Sequence, residues 1–509
     1  MRSRLRVVWL LVAVALLVGA VPARRALMEQ RRDHNLGLET GALEAPPPEL
    51  GFALSMGVFR SMLVQVLWMR AAEMQRDKRF YELVQLYDLI GKLQPHNGMV
   101  WAYAAWNMSY NISVEIPSSR ERWRWVQNGL DRLRFHGLRY NPDNMLLYWE
   151  LAWIYFHKIG KNMDDSHLYY KTELAGDIQN TFGAFKDMQA GSVRAALSGN
   201  GESGAARAVA ASLRANYAMD INLMADTEED PRFGPLDWRI PETHAIYWAR
   251  QGLIKGHYGK RRVDLERILY QSLQHLLRQG MLIYFPAQND APAHVVSWPD
   301  YRQVWAIVRM FESQVELFAR EKASDVGVRS AFHYFLQEAL EILFIAGQEN
   351  EAEKLFRYAS EHFPGATSGA SDLREYVSST TAKRIKDMSG DQFSALVSSL
   401  LVQHFWWLGR GDEKRSAALL TRAQELWKLN AQLNPRAPRQ INASFEDLEK
   451  GTIHAIAAGR IFHPEIMARL RLVLPEYLRR VLEESLASPA ATASKPPAPG
   501  EAPGREAGP

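Results

Sequence analysis

The segment EALEILFIAGQENEAEKLFRYASEHFP, residues 338–364, constrains the fold more than any other part of the chain. It places Ala352, Phe356 and Ala359 on one face of a helix that ends before Pro364. Small alanines let two antiparallel helices approach closely, a phenylalanine ring fills the groove between them, and proline cannot continue a helix. The segment therefore predicts a helical hairpin.

Two patterns of helical positions recur along the chain. The pattern of the first helix of a hairpin recurs with offsets of 34 and 47 residues, and the pattern of the second helix recurs with an offset of 71 residues. The N-terminal copies are Leu67, Ala71 and Met74, then Trp101, Ala105 and Met108, then Tyr148, Ala152 and Tyr155. The C-terminal copies are Ala352, Phe356, Ala359 and Pro364, then Ala423, Trp427, Asn430 and Pro435. We predict that these side chains pack one hairpin against the next.

The hairpin at 333–364 and the 34-residue offset resemble the tetratricopeptide repeat (TPR) family. The resemblance implies an all-α fold, a TPR-like α-solenoid of helical hairpins, with a surface that holds a peptide or helix of a partner. Chains of this class usually bind proteins rather than transform molecules. The expected partners are therefore other proteins, whose identity the sequence does not give.

The first 23 residues have the pattern of a membrane-targeting segment, because three arginines precede an apolar run from Val7 to Val21. Fifteen apolar residues are fewer than the roughly 20 of a typical transmembrane helix, and Val21-Pro22-Ala23 has the small-residue character of a cleavage site. An uncleaved anchor is preferred, with a cleaved signal peptide and a buried helix as alternatives. We expect a single-pass protein of the bacterial inner membrane with its bulk in the periplasm.

The predicted organisation has seven parts. They are a signal anchor or transmembrane segment at 1–23, a linker at 24–50, an N-terminal TPR-like array at 51–190, an irregular connection at 191–236, central hairpins at 237–365, C-terminal hairpins at 366–486 and a disordered Pro/Ala-rich tail at 487–509. Within the central part, residues 284–299 are predicted to form a long loop.

Composition and motifs exclude several classes of function. The chain has no cysteine, so disulfides, thiolate metal sites and thiol catalysis are absent. Its 61 basic and 57 acidic residues nearly balance, and no nucleic-acid partner is expected. The sequence contains no phosphate-binding loop, two-histidine zinc helix, nucleophile elbow or dinucleotide fingerprint. We predict that the chain is not an enzyme and carries no cofactor.

One short cluster leaves a metal site open as an alternative. His157, Asp164, Asp165 and His167 supply two imidazoles and two carboxylates within eleven residues, although their spacing fits no known metal motif. The preferred interpretation is structural: His157 lies at a helix end, and Asp164 or Asp165 caps the next helix. A metal-dependent enzyme is accordingly the third hypothesis for function.

Two aromatic-rich regions suggest binding surfaces. Arg120, Arg122 and Arg124 interleave with tryptophans, which predicts a solvated basic face or, as an alternative, a surface for an acidic partner or an anionic lipid. Nucleic acid is a more remote alternative there. The second hypothesis for function is an exported glycan- or lipid-binding protein whose groove contains Trp106, Trp149 and Trp153. Packing between helices is the preferred interpretation of these three rings.

Overall fold

The computed structural model describes residues 58–183, 204–257, 261–287, 292–320, 324–433, 444–458 and 464–487, with the single positions Pro22, Val193 and Phe462. These residues are predominantly helical, which confirms the predicted helical class. Apart from Pro22 and Ala487, the predicted anchor, linker and tail lie outside them. No helix in the described ranges is long and apolar enough to cross a membrane.

Backbone contacts divide the chain into two compact units, residues 1–95 and residues 96–509. In the first unit, helix α1 (Val58–Arg76) packs against α2 (Phe80–Leu93). Leu67, Ala71 and Met74 of α1 are buried.

The first half of the second unit contains helices interrupted by wider π turns. Its elements are α3 (Gly98–Trp106), π1 (Asn107–Ile112), α4 (Ser119–Asp131), π2 (Arg132–Gly137), α5 (Leu138–Tyr140), α6 (Met145–Trp153), π3 (Ile154–Gly160), α7 (His167–Phe182), α8 (Gly204–Tyr217), α9 (Ile221–Glu229), α10 (Pro241–Lys255) and α11 (Arg262–Gln279). The segment 191–236, which was predicted as an irregular connection, contains helices α8 and α9. The Asp220 side chain caps α9 by accepting hydrogen bonds from the backbone N–H groups of Asn222 and Leu223.

The second half continues with a two-stranded ribbon and further helices. Its elements are β1 (Met281–Phe285), β2 (His294–Trp298), α12 (Val304–Arg320), α13 (Val326–Ile345), α14 (Glu349–His362), α15 (Leu373–Asp387), α16 (Gly390–Arg410), α17 (Glu413–Leu433), α18 (Phe445–Ala458), α19 (Pro464–Val473) and α20 (Glu476–Ala487). Sequence neighbours pack as pairs at α10–α11, α13–α14 and α16–α17. The α13–α14 pair is the hairpin predicted from residues 338–364.

The positions of the predicted pattern are buried almost throughout. Ala352, Ala359 and Ala423 have no exposed surface, and Phe356 is 5% exposed. In the N-terminal copies of the second unit, the buried positions are Trp101, Ala105, Met108, Tyr148, Ala152 and Tyr155. Trp427 is half-buried, Pro364 is exposed where α14 has ended, and Pro435 lies outside the described residues.

The prediction of a long loop at 284–299 is wrong at both ends of this segment. Strands β1 and β2 pair antiparallel there, with Ile283 opposite Val296 and Phe285 opposite His294. Apolar and β-branched residues favour strands. The two strands pair across the prolines that lie between them in the sequence. The fold therefore contains a β-ribbon within a helical body.

Two hydrophobic cores form in the second unit. The first extends from Trp101 to Val377, and the second from Ile385 to Leu482 together with Phe285 of β1. The first core includes a contact between distant helices, because α6 packs against α10. At Gly252 of α10 a Cβ atom would lie 2.6 Å from Tyr148 Cβ, so glycine permits this close approach.

Candidate functional site

Six rings form a continuous band across two helices of the second unit. The α3–π1 helix contributes Tyr103, Trp106 and Tyr110, and the α6–π3 helix contributes Trp149, Trp153 and His157. We call these six residues the aromatic stripe. They include all three tryptophans considered above for a glycan groove.

Successive rings of the stripe are in contact. Trp149 and Trp153 are stacked with centroids 5.6 Å apart, and Trp153 and His157 are stacked at 4.6 Å. His157 connects the two helices, since its Nδ1 lies 3.3 Å from the Tyr110 hydroxyl. Tyr110 stacks on Trp106 at 6.4 Å, and Trp106 contacts Tyr103 at 6.1 Å.

The two helices that carry the stripe are built alike. Asn97 and Asn144, 47 residues apart, each cap a nine-residue α-helix by accepting a backbone N–H from two residues ahead. Each helix then opens into a π turn, where i→i+5 hydrogen bonding replaces the α pattern. The 47-residue offset therefore places Trp106 level with Trp153 and Tyr110 level with His157.

The stripe lies at the surface. Tyr103 is 43% exposed and Trp106 is 38% exposed, while Trp149 and Trp153 are half-buried. By contrast, the neighbouring Trp101 is 3% exposed and belongs to the first core. Contiguous exposed aromatic surface is typical of interaction sites.

Basic side chains flank the stripe at two places. The Arg261 guanidinium carbon lies 4.2 Å from the centre of the Trp149 ring, a cation–π contact. Burial lowers the pKa of His157, and the positive charges of Lys161 and Lys158 lower it further. His157 is therefore neutral at neutral pH, and the positive charge beside the stripe comes from arginine and lysine.

Two carboxyl groups lie near the Arg261 charge. Asp264 forms an ion pair with the guanidinium at 2.8 Å, and Glu150 is buried. Burial raises the pKa of Glu150 on α6 to about 8, although the charge of Arg261 acts in the opposite direction. Glu150 is 4% exposed, and it is mainly protonated at neutral pH. Arg261 therefore shares its charge with Asp264 and not with Glu150, and Arg261 and Lys161 are the cationic side chains beside the aromatic rings.

The four residues considered as metal ligands have other surroundings. The buried Asp164 carboxylate accepts hydrogen bonds from Lys158 Nζ at 2.5 Å, from Arg122 at 3.2 Å and from the Ser166 backbone N–H at 2.8 Å. Burial acts to raise the pKa of Asp164, but these donors outweigh it, and the pKa lies below its usual value. His157 belongs to the stripe, Asp165 is exposed, and His167 is the first residue of α7. Within the described ranges, no three His, Asp or Glu side chains are grouped to hold a metal ion.

The three arginines considered as a partner surface lie in different environments. Arg122 turns inward, where it donates to the Ile116 carbonyl and pairs with Asp164. Arg124 is exposed and forms an ion pair with Glu121 at 2.7 Å, and Arg120 is exposed. Arg122 thus has a structural contact, while Arg120 and Arg124 lie on a solvated face.

A second concave feature lies beside the α13–α14 hairpin. It is a groove of about 710 Å³ bordered by the α13–α14 turn, the α16–α17 turn and the segment after β2. Its charged side chains are Asp300, Arg302, Glu349, Glu351, Asp412, Lys414 and Arg415. Because the two signs nearly balance, the groove has no strong preference for the charge of a partner.

Comparison with known proteins identifies no relative: no protein-family model, no curated protein and no solved structure matches the chain.

Sequence reasoning found half of the stripe. It singled out Trp106, Trp149 and Trp153, but it missed Tyr103, Tyr110 and the contact of Arg261. The available signal was the 47-residue offset, which aligns Trp106 with Trp153 and Tyr110 with His157.

Proposed function

We propose that the chain is a membrane-anchored, TPR-like scaffold of the bacterial cell envelope that binds other proteins through the aromatic stripe. The observation that carries the proposal is the half-exposed stripe on a body of packed helical pairs. Surface aromatic rings supply most of the binding energy at many protein interfaces. The TPR-like arrangement, the anchor at 1–23 and the periplasmic location are parts of this proposal and rest on the sequence patterns above.

The charge around the stripe defines the partner's chemistry. Arg261 covers Trp149 and is paired with Asp264, Lys161 lies close enough to His157 to lower its pKa, and Glu150 is protonated. A partner segment with apolar or aromatic side chains and nearby carboxylates would complement both features. We therefore propose an acidic, apolar peptide segment of another envelope protein as the occupant.

Photo-crosslinking in intact cells tests the proposal. A photoreactive p-benzoylphenylalanine at position 103 is expected to form adducts with a defined protein, because Tyr103 lies at the exposed end of the stripe. The double variant Trp106→Ala and Trp153→Ala should reduce the adduct yield, since losing a central interface ring costs about 2 kcal/mol, or about thirtyfold in affinity. Arg261→Gln should weaken the adduct and reduce its sensitivity to salt.

The matched control is the same photoreactive residue at position 334, since Tyr334 is 70% exposed and lies outside the stripe. Adducts of equal yield at positions 103 and 334, or adducts that survive the double tryptophan variant, would contradict the proposal. The anchor is tested separately: the full chain should remain in the membrane fraction after alkaline extraction, and a chain lacking residues 1–50 should not.

A glycan- or lipid-binding protein is the second candidate. The observation that favours it is the stacking of Trp149 on Trp153 beside a surface Trp106, because indole rings can stack on apolar sugar faces. In the same crosslinking experiment, this function predicts adducts in the glycan or lipid fraction and none with protein.

A further inference from the structure

A pocket of about 320 Å³ opens on the side of α10, apart from the aromatic stripe. Tyr247, Trp248, Gln251 and Lys255 line it from α10, where their spacing places them on one helix face. The other walls come from Arg134 and Arg139 of π2–α5, from Pro142 and Tyr148, and from Asp220.

Tight packing fixes the aromatic wall of the pocket. Gly252 lets α10 approach α6 so closely that a Cβ atom would lie 2.6 Å from Tyr148 Cβ. Tyr148 and Trp248 then contact each other with ring centroids 6.4 Å apart, and Trp248 meets Tyr247 edge-on at 5.1 Å. The Tyr148 hydroxyl donates to the Pro142 carbonyl, which holds this ring in place. The wall is therefore formed before a ligand arrives.

Buried polar groups in the lining have unmet hydrogen-bonding capacity. Gln251 is 1% exposed, and in the described part of the chain neither atom of its amide has a hydrogen-bond partner. The same holds for Trp248 Nε1 and for Arg134 Nε, on side chains that are also buried. Leaving such a group unpaired destabilises the folded state. A ligand with polar atoms would recover part of this cost.

The charges around the pocket favour an anion. Arg139 and Lys255 are exposed, and among the described residues neither forms an ion pair. Arg134 adds a third positive charge, which is shared with Asp131 at 3.1 Å. The one carboxylate of the lining, Asp220, caps α9 and pairs with Arg214 at 3.2 Å. The lining therefore carries an excess of positive charge.

We propose that this pocket binds a small organic carboxylate whose apolar body lies against Tyr148 and Trp248. Gln251, Trp248 and Arg134 line the pocket and carry unpaired N–H groups, and Arg139 and Lys255 attract the charge of the carboxylate. The volume accommodates a compact ligand and excludes a folded partner. This binding activity goes beyond the scaffold function and requires neither the anchor nor the stripe.

Fluorine NMR with para-fluorobenzoate tests the proposal on the full-length protein. We expect saturable binding with a dissociation constant of about 1 mM or tighter, the range for a ligand of this size in a preformed pocket. The neutral analogue para-fluorobenzamide should bind more weakly. Lys255→Met, a change at an exposed position, should weaken benzoate binding about twofold to fivefold.

Gln251→Leu separates a ligand-binding role from a structural one. Because the Gln251 amide is unpaired, its replacement by a similar apolar side chain should keep or raise the unfolding temperature, while benzoate affinity falls about tenfold. The control is Gln314→Leu, since the buried Gln314 donates to the Glu266 carbonyl outside the pocket. That variant should be less stable and should bind benzoate normally. The proposal is overturned if benzoate does not bind saturably, if the benzamide binds equally well, or if Gln251→Leu leaves affinity unchanged.

Discussion

Among single residues, Glu150 has an unusual environment for a carboxyl group. It lies on α6 between stripe residues, it is 4% exposed, and within the described ranges its Oε1 has no hydrogen-bond partner. Burial raises its pKa from the ordinary 4.5 to about 8. In the unfolded chain the same carboxyl returns to its ordinary pKa, so the folded state binds an extra proton between these two values.

This difference predicts a pH dependence of stability. As pH rises from 4.5 to about 8, the unfolded state loses the Glu150 proton first, so the free energy of unfolding should fall across this window. The side chain introduced by Glu150→Gln stays uncharged, so this variant should lose less stability across the same window. At about pH 9 its free energy of unfolding should exceed that of the native chain by a few kcal/mol. Urea unfolding at about pH 5 and about pH 9 measures the effect. Glu361→Gln, at a side chain that is 80% exposed, is the control; parallel pH profiles for all three proteins would contradict the prediction.

The contacts of the stripe show which relations between single residues could be predicted from the sequence and which could not. The spacing of Trp149 and Trp153 places both on one helix face, and that relation could be read from the sequence. Contact between Tyr110 and His157 could not, because it depends on which helix lies beside π3. A contact between neighbouring helices follows from packing, whereas periodicity describes each helix alone.

At the scale of elements, local patterns predicted helices well and distant pairings poorly. The α13–α14 hairpin follows from its alanine and phenylalanine positions, whose packing partners lie within the same segment. The packing of α6 on α10 joins helices that are nearly a hundred residues apart in sequence, and it depends on the absence of a side chain at Gly252. A glycine inside a helical pattern by itself does not identify the helix that approaches it.

Two glycine substitutions test this account of helix packing, because they should have opposite effects. Gly252→Ala places a Cβ atom 2.6 Å from Tyr148 Cβ and 3.0 Å from Leu265 Cδ1, so it should destabilise the protein by about 1–3 kcal/mol despite the better helix propensity of alanine. Gly451→Ala in α18 meets no atom within 4 Å and should stabilise by up to about 1 kcal/mol. Denaturant unfolding of both variants measures the signs. Equal effects would show that close packing at Gly252 does not control the α6–α10 contact.

At the scale of the whole second unit, the β-ribbon joins its two hydrophobic cores. Successive side chains of a strand point to opposite faces, and the two faces here belong to different cores. Leu282, Tyr284 and Val295 pack with the first core, whereas Ile283, Phe285, Val296 and Trp298 pack with the second. Helix α7 of the first core contacts both strands, and Phe285 meets Trp406 of α16 edge-on at 6.2 Å. The short ribbon is therefore a shared wall, which explains why both of its faces are apolar.

This arrangement predicts that substitutions on opposite faces of β1 weaken different parts of the molecule. Phe285→Ala removes a ring that is 7% exposed and should destabilise the second core by about 3–5 kcal/mol. Leu282→Ala, on the opposite face, should cost the first core about 2–5 kcal/mol. Hydrogen exchange measured by mass spectrometry distinguishes the two effects, because local opening accelerates exchange in the weakened region. Exchange should accelerate mainly within 385–482 for Phe285→Ala and within 101–377 for Leu282→Ala. If either substitution accelerated exchange equally in both ranges, the cores would unfold as one cooperative body, and the ribbon would transmit instability from one core to the other.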